Sequence, residues 1–180
     1  MASKIKVDTL ETANGSGTIA LSNQLSGMTG ASMPSGSVIQ VVSVATDTAT
    51  TTSSTSYVDM TNMTASITPS STSSKILVMV SLQAAVQQTS ADRARSGFKV
   101  LRNLTPVFLT ATYGFGMIQV GGTTGETFMA AHPQITVLDS PSSISEQTYK
   151  VQAAIYEGNM YFNYASDTNA STITLMEIAG

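Results

Sequence analysis

The feature that most constrains the fold is a series of short apolar runs, each of strand length and none with a helical repeat. Val38–Val44 is dense in β-branched residues, and Lys75–Leu82 is the most apolar run in the chain. Ser56–Met60 and Phe98–Arg102 alternate between polar and apolar residues, as half-buried strands do. No segment sustains the i, i+3, i+4 pattern of an amphipathic helix. The sequence therefore predicts an all-β protein, with Lys75–Leu82 as a central strand.

Further strand-like runs continue to the end of the sequence, separated by turns rich in Ser, Thr, Gly and Pro. Pro106 confines its run to a sheet edge or a strand start, because proline cannot donate to a strand ladder. Glu157–Asn159 is predicted to be a hairpin loop. This many short strands is typical of an antiparallel β-sandwich or jelly roll. The additional strands predicted are Ala65–Thr68, Thr105–Thr110, Gln134–Leu138, Thr148–Tyr156, Met160–Tyr164 and Ser171–Ile178.

The first 35 residues differ from the rest. Two short strand-like runs, Lys4–Asp8 and Gly17–Leu21, are followed by Gly27, Gly30 and Pro34 among small and polar residues. Such a segment has no core of its own and needs another surface to pack against. We therefore expect an extended β arm and neck over 1–35 and a β head over 36–180. The apolar residues available to anchor the arm are Ile5, Val7, Leu10, Ile19 and Leu21.

The composition excludes several classes of function. Charged residues make up 11% of the chain, against a usual share of about 25%, while 42% of the residues are hydrophobic. There is no Cys, so neither a disulfide framework nor a cysteine zinc site can form. The net charge of −3 argues against nucleic acid as a partner, and no apolar run is long enough for membrane insertion. A surface this poor in charge is compatible with a protein that is covered by neighbouring subunits, or with one that works outside a crowded cell.

Residues capable of catalysis are present, but no motif brings them together. His132 is the only histidine, and no G-x-S-x-G nucleophile elbow accompanies it. The acidic residues are isolated, so the carboxylate pair of a glycosidase is not indicated. Gly121–Gly125 lacks the lysine of a phosphate-binding loop. We therefore predict no catalytic, cofactor or metal site, and an enzyme acting on host glycans is disfavoured.

Five segments, at both ends of the chain and in the early β head, carry a recognisable pattern. They are Ser3–Thr12, Ser22–Pro34, Gly36–Val42, Thr68–Val78 and Ser171–Gly180. These segments resemble fibre-like structural proteins of tailed phages of marine and freshwater type. The resemblance does not extend over about 84–125, where receptor-binding variation would lie.

This resemblance implies a virion protein that does not act as an enzyme. It implies a homotrimeric tail or neck fibre whose arm docks on other virion proteins and whose head meets a host-surface receptor. The strand series is also similar to the trimeric heads of the tumour-necrosis-factor and complement type. In such a head the trimer core would be formed by Tyr149, Tyr161, Phe162 and Tyr164. The alternatives are a capsid decoration (cement) protein, which would use the arm to staple capsomers, and a cellular lectin-like protein unrelated to phages.

Overall fold

The computed structural model describes residues 33–89, 93–110, 118–120, 127–164 and 170–180. Within these residues the regular structure consists of antiparallel β-strands with no helix, which confirms the all-β prediction. The strands are β1 (Val38–Thr46), β2 (Thr50–Thr52), β3 (Val58–Ile67), β4 (Lys75–Ser81), β5 (Ala84–Gln88), β6 (Ala94–Arg102), β7 (Thr105–Leu109), β8 (Gln119–Val120), β9 (Thr127–Ala131), β10 (Gln134–Asp139), β11 (Gln147–Tyr156), β12 (Asn159–Phe162) and β13 (Ser171–Ile178).

The strands form three sheets, and the third repeats the order of the first. The first sheet runs β1-β13-β4-β10, the second β3-β11-β6-β7 with β8 also paired to β6, and the third β2-β12-β5-β9. At each position, the strand of the third sheet is adjacent in sequence to the corresponding strand of the first sheet. Thus β2 follows β1, β12 precedes β13, β5 follows β4 and β9 precedes β10. Backbone hydrogen bonds from Leu82 to Pro133 and from Asn163 to Gln83, both 2.9 Å, bridge the junction. The third sheet is therefore a second tier of the first.

A single hydrophobic core joins all three sheets. The alternation along β13 illustrates how it is built, because Ile173 and Leu175 are fully buried while Thr172 and Thr174 face outward. The same period of two puts Phe98 of β6 and Tyr149 of β11 into the core from the second sheet. Removal of this apolar surface from water, at about 25 cal/mol per Å², is the main favourable term in folding.

Two strand predictions are confirmed, and one turn is placed differently from its prediction. β4 lies inside the first sheet, and β7, which contains Pro106, lies at the edge of the second. Glu157 and Gly158 do form a tight turn, with φ of 60° and 85°. The prediction of a hairpin there was wrong, because β11 belongs to the second sheet while β12 pairs with β2 and β5 in the third.

One strand, β3, spans two segments that the sequence suggested as separate strands. Asn62 has φ of 60° in its middle, and the register against β11 shifts there between Lys150 and Gln152. A bulge of this kind adds residues to one strand without ending it. The polar residues around Asn62 therefore mark an irregularity inside one strand.

Backbone hydrogen bonds join the residues that follow β13 to the start of the head. Gly36 N–H donates to the Ala179 carbonyl and Ala179 N–H donates to the Ser37 carbonyl, each at 2.8 Å. The proposed arm anchors lie outside the described residues, which begin at Met33. The chain therefore enters the head at Gly36, beside the C-terminal strand β13.

Candidate interaction surface

The outer face of the first sheet carries apolar and hydroxyl side chains in register across four strands. Val41, Met176, Leu77 and Leu138 form one cross-strand row. The next row is Ser43, Thr174, Met79 and Thr136, and the third is Ala45, Thr172, Ser81 and Gln134. Val41 is 54% exposed and Leu138 52% exposed, although both are aliphatic. Side chains that alternate strictly in this way leave the apolar residues of these rows in contact with solvent.

The second tier extends this face with an aromatic cluster formed by Phe128, Tyr161 and Tyr164. The ring centroids lie 5.5 Å apart for Phe128 and Tyr161, 5.9 Å for Phe128 and Tyr164, and 5.1 Å for Tyr161 and Tyr164. These separations lie within the range in which aromatic pairs attract each other. Phe128 and Tyr164 remain about half exposed, at 47% and 54%. The cluster therefore presents aromatic surface to a partner while its rings already support one another.

We call these outward residues of the two tiers the charge-free face, because no Lys, Arg, Asp or Glu of the described chain lies within it. Asp139 and Glu177 directly follow Leu138 and Met176, but strand alternation puts them on the other side of the sheet. The nearest described charges outside that inner side are Lys75, which precedes the Leu77 row, and Asp47, in the loop between β1 and β2. The face consists of Val41, Ser43, Ala45, Thr51, Leu77, Met79, Ser81, Ala85, Phe128, Ala130, Gln134, Thr136, Leu138, Tyr161, Tyr164, Thr172, Thr174 and Met176.

A shallow depression of about 90 Å³ lies at the junction of the two tiers. It is lined by Gln83, Ala84, Ala85, Ala130, His132 and Tyr164. His132 is exposed there, beside an aromatic ring and an amide. In the described part of the chain, no three His, Asp or Glu side chains are close enough to hold a metal ion together.

The outer face of the second sheet is different, because it carries charge. Lys150 Nζ forms an ion pair with Asp59 at 2.8 Å, and Gln152 donates to the same carboxylate at 2.6 Å. The hydrogen bonds from Lys150 and Gln152 hold the pKa of Asp59 below its ordinary value. Lys99 lies over the ring of Tyr57, 4.4 Å from its centroid. The two faces of the molecule therefore differ in charge, and only one has the composition of a surface that a protein partner would cover.

Partly buried polar groups close one end of the fold. Arg102 Nη1 donates to both oxygens of Asp139, at 2.7 and 2.6 Å, and joins the second sheet to the first. The hydroxyl of Tyr149 donates to Asp139 at 2.7 Å. Burial, together with the hydrogen bond and charge of Asp139, raises the pKa of Tyr149 well above its ordinary value. These groups are satisfied within the chain and have a structural role.

The four aromatic residues suggested by the sequence as a trimer core do not lie together. Tyr149 is 0% exposed and Phe162 is 3% exposed, and both belong to the core of the chain itself. Tyr161 and Tyr164 do belong to the charge-free face and contact each other there. The correction follows from strand alternation, because adjacent residues such as Tyr161 and Phe162 point to opposite sides of a strand.

Several members of the face were missed by sequence reasoning. Phe128 was missed because no strand was predicted over Thr127–Ala131, where apolar residues do not alternate. Met79 and Leu138 lie in strands that were predicted, and the period of two would have put them on the outer face. The sequence carried that signal, but the face appears only when four strands are placed side by side.

Comparison with known proteins gives no family for the chain. No protein-family model matches it, and no curated protein is similar to it. Among the residues that the structure describes, no helix is long and apolar enough to span a membrane.

Proposed function

We propose that this chain is a non-enzymatic structural protein of a tailed phage, a homotrimeric tail or neck fibre whose head assembles through the charge-free face. The observation that carries the proposal is the contrast between the two outer faces. The outer face of the second sheet holds an ion pair and cations that lie over aromatic rings. The charge-free face has aliphatic, hydroxyl and aromatic side chains, with no charged residue in its described part. Depletion of charge together with aromatic enrichment is typical of the buried centre of a protein interface.

The partner we assign to this face is another copy of the chain. Four strands about 4.8 Å apart and two tiers of about five residues give a face of about 600 Å². A standard interface takes about 800 Å² from each partner, so the face is of the right order. A copy of the same chain supplies a surface of matching chemistry, with no charge to desolvate on either side. Within the face, Tyr161 and Tyr164, together with Phe128, are the aromatic residues that we assign to the contact.

The strand order supports a jelly-roll head of the tumour-necrosis-factor or complement type. When the second-tier strands and β8 are set aside, eight strands remain, and they pair in a nested order. The first pairs with the last (β1 with β13), then β3 with β11, β4 with β10 and β6 with β7. A double-sheet jelly roll has such an arrangement of two Greek keys. In this head the first sheet would face the threefold axis and the second would face outward.

In this proposal the N-terminal arm docks the fibre on the virus particle. Gly36, where the arm meets the head, lies beside the C-terminal strand. The docking contacts with other virion proteins would come from Ile5, Val7, Leu10, Ile19 and Leu21, which cannot bury a core alone. Three linked copies of a head would then multiply a modest affinity for a host-surface receptor.

Quantitative mass spectrometry of purified particles of the encoding phage, with immunogold labelling, tests this function. A fibre predicts a small multiple of three copies per particle and label at the tail or neck. The second candidate, a capsid decoration protein, also uses a charge-free face and predicts hundreds of copies with label over the head. Absence of the chain from purified particles would contradict both.

A further inference from the structure

A small cleft lies where an edge strand of the second sheet diverges from an edge strand of the third. β3 ends the strand order of the second sheet and β2 ends that of the third, so no described strand pairs with the outer side of either. The cleft between these two strands has a volume of about 120 Å³. Residues 50–52 of β2 and residues 58–61 of β3 line it, and Ala153 and Phe162 of the strands next to them complete the lining. The cleft is therefore built by strands of two sheets.

A bulge in β3 makes room for the cleft. Residues 60–63 of β3 lie opposite the single residue Val151 of β11. Extra residues of this kind bend a strand away from its regular course. Asn62, inside the bulge, is tied to the loop between β1 and β2, because its Nδ2 donates to Thr48 Oγ1 at 3.2 Å. The cleft therefore has a fixed shape that a regular strand edge would not provide.

The floor of the cleft is apolar, and hydroxyl groups stand at its side. Met60, Ala153 and Phe162 line the cleft and are buried. Thr50 is in register with Phe162, so its side chain points away from the charge-free face and towards the second sheet. Thr52 follows two residues later and points the same way. An apolar lining with a few directed polar groups is typical of small-molecule sites.

Asp59 is the anionic group of the cleft, and its carboxylate is held in one orientation. Lys150 donates to Oδ2 at 2.8 Å and Gln152 donates to Oδ1 at 2.6 Å. A carboxylate has about four acceptor positions, so each oxygen can accept a further hydrogen bond. The Asp59 side chain is 55% exposed, which leaves these positions open to a ligand. A metal ion is not indicated, because Asp59 is the only acidic residue among the described residues that line the cleft.

We propose that this cleft binds a neutral sugar unit of a host-surface glycan. Neighbouring hydroxyls of a sugar ring can donate to the carboxylate of Asp59 and can bond to threonine hydroxyls, which both donate and accept. The C–H side of the same ring packs on an apolar floor. An acidic sugar would bring a second carboxylate beside Asp59, and like charges at such a distance repel.

The size of the cleft limits the ligand to one small unit. Its volume corresponds to about four water molecules, at about 30 Å³ each, whereas a drug-sized ligand takes about 300 Å³ or more. The inference rests on the proposed function for its setting, in which the second sheet faces outward, and it names the class of receptor that the head would meet. Three heads in one fibre would add their weak single-sugar affinities.

NMR titration of the full-length chain with the methyl glycosides of glucose, galactose and mannose tests the site. We expect at least one of them to bind with a dissociation constant on the order of 1–10 mM and to shift the amide resonances of residues 50–52 and 58–61. Methyl glucuronide, the charged comparison probe, should bind about threefold or more weakly than that glycoside, because its carboxylate meets Asp59.

Two variants remove single polar groups from the cleft. Thr50→Val deletes one hydroxyl with little change in shape and should weaken binding about two- to tenfold. Asp59→Asn should weaken it about tenfold or more, because hydrogen bonds to a charged acceptor are the stronger ones. Thr64→Val is the matched control, since Thr64 is an exposed threonine of β3 outside the cleft, and it should leave the affinity unchanged. Circular dichroism checks that each variant is folded, and Thr50→Val decides the matter if Asp59→Asn does not fold.

The site would be overturned if none of the three neutral glycosides bound at concentrations up to about 0.1 M. Equal weakening by Thr50→Val and Thr64→Val, shifts confined to residues outside the cleft, or tighter binding of methyl glucuronide would also overturn it. The mass of the wild type, measured by light scattering, separates this inference from the proposed function. A trimer that binds no glycoside sinks only the site, and a monomer that binds one sinks only the assembly.

Discussion

Glu177 and Ser70 are joined by two hydrogen bonds to one carboxylate oxygen. The backbone N–H of Ser70 donates to Glu177 Oε1 at 2.7 Å and its hydroxyl donates at 2.8 Å. The Ser74 hydroxyl reaches the same oxygen at 2.7 Å, and Gln40 Nε2 donates to Oε2 at 2.6 Å. Glu177 is 0% exposed, and these four hydrogen bonds come from neutral donors. One buried carboxylate therefore ties the turn between β3 and β4 to both the first and the last strand.

Replacement of Glu177 by Gln should lower the free energy of unfolding by about 1–3 kcal/mol near neutral pH, because donors aimed at two oxygens lose one of their acceptors. Urea unfolding at one fixed protein concentration measures the change. Glu146→Gln, at an exposed loop position, is the control and should stay within about 0.5 kcal/mol of the wild type. Equal stability of the two variants would contradict the role assigned to Glu177.

The same carboxylate predicts a loss of stability in acid. Burial works to raise the pKa of Glu177, but the hydrogen bonds from Ser74, Gln40 and Ser70 outweigh it and the pKa lies below its ordinary value. A carboxyl whose pKa is lower in the folded chain contributes stability above its unfolded pKa, and this is lost as the pH falls through the folded pKa. The gap in unfolding free energy between wild type and Glu177→Gln should therefore shrink from about pH 5 downward. A gap that does not change with pH would refute this.

Two glycines with nearly the same backbone conformation should respond differently to alanine. Gly36 and Gly158 have φ of 87° and 85°, so both substitutions carry the strain of the left-handed region, about 1–2 kcal/mol. Around Gly36 there is open space, whereas a Cβ at Gly158 would overlap the carbonyl oxygen of Gln87. Gly36→Ala should cost about 1 kcal/mol and Gly158→Ala about 3 kcal/mol or more in chemical unfolding. Equal costs would show that the turn at Gly158 can move away from β5.

Asp139 should contribute more to the free energy of unfolding than Tyr149, which donates a hydrogen bond to it. Tyr149→Phe removes one hydrogen bond while Asp139 keeps Arg102, so we expect a loss of about 1 kcal/mol. Asp139→Ala leaves both Arg102 and the Tyr149 hydroxyl without their acceptor and should cost about 2–3 kcal/mol. Thermal unfolding of the two variants gives the order. A larger loss for Tyr149→Phe would contradict it.

The sequence predicted most strands, and the exceptions have physical reasons. β-branched runs such as Val38–Val44 were found because their propensity and burial agree. β5, Ala84–Gln88, was missed because Ala and Gln have low strand propensity. It forms a strand since neighbours β12 and β9 pair with it on both sides. Such pairing is a tertiary effect that local patterns do not contain.

The candidate face was harder to predict than the fold. Lys150, next to Tyr149, indicates that Tyr149 points inward, so alternation alone could have removed it from the trimer core. For Tyr161 and Phe162 no such neighbour decides which one faces out. The charge-free face itself depends on the order of four strands from distant parts of the chain, which the sequence does not specify.

The mass of the full-length chain in solution, with a charge placed in the charge-free face, tests the central claim most directly. Met79 is 40% exposed on β4, inside the face, and Met79→Lys changes its charge with little change in shape. Leu104→Lys is the control, because Leu104 is 89% exposed in the turn between β6 and β7. Light scattering should give three times the 18.7 kDa chain mass for the wild type and for Leu104→Lys. Met79→Lys should give a folded monomer with an unchanged circular dichroism spectrum. A monomeric wild type, or a Met79→Lys variant that remains trimeric, would contradict assembly through this face.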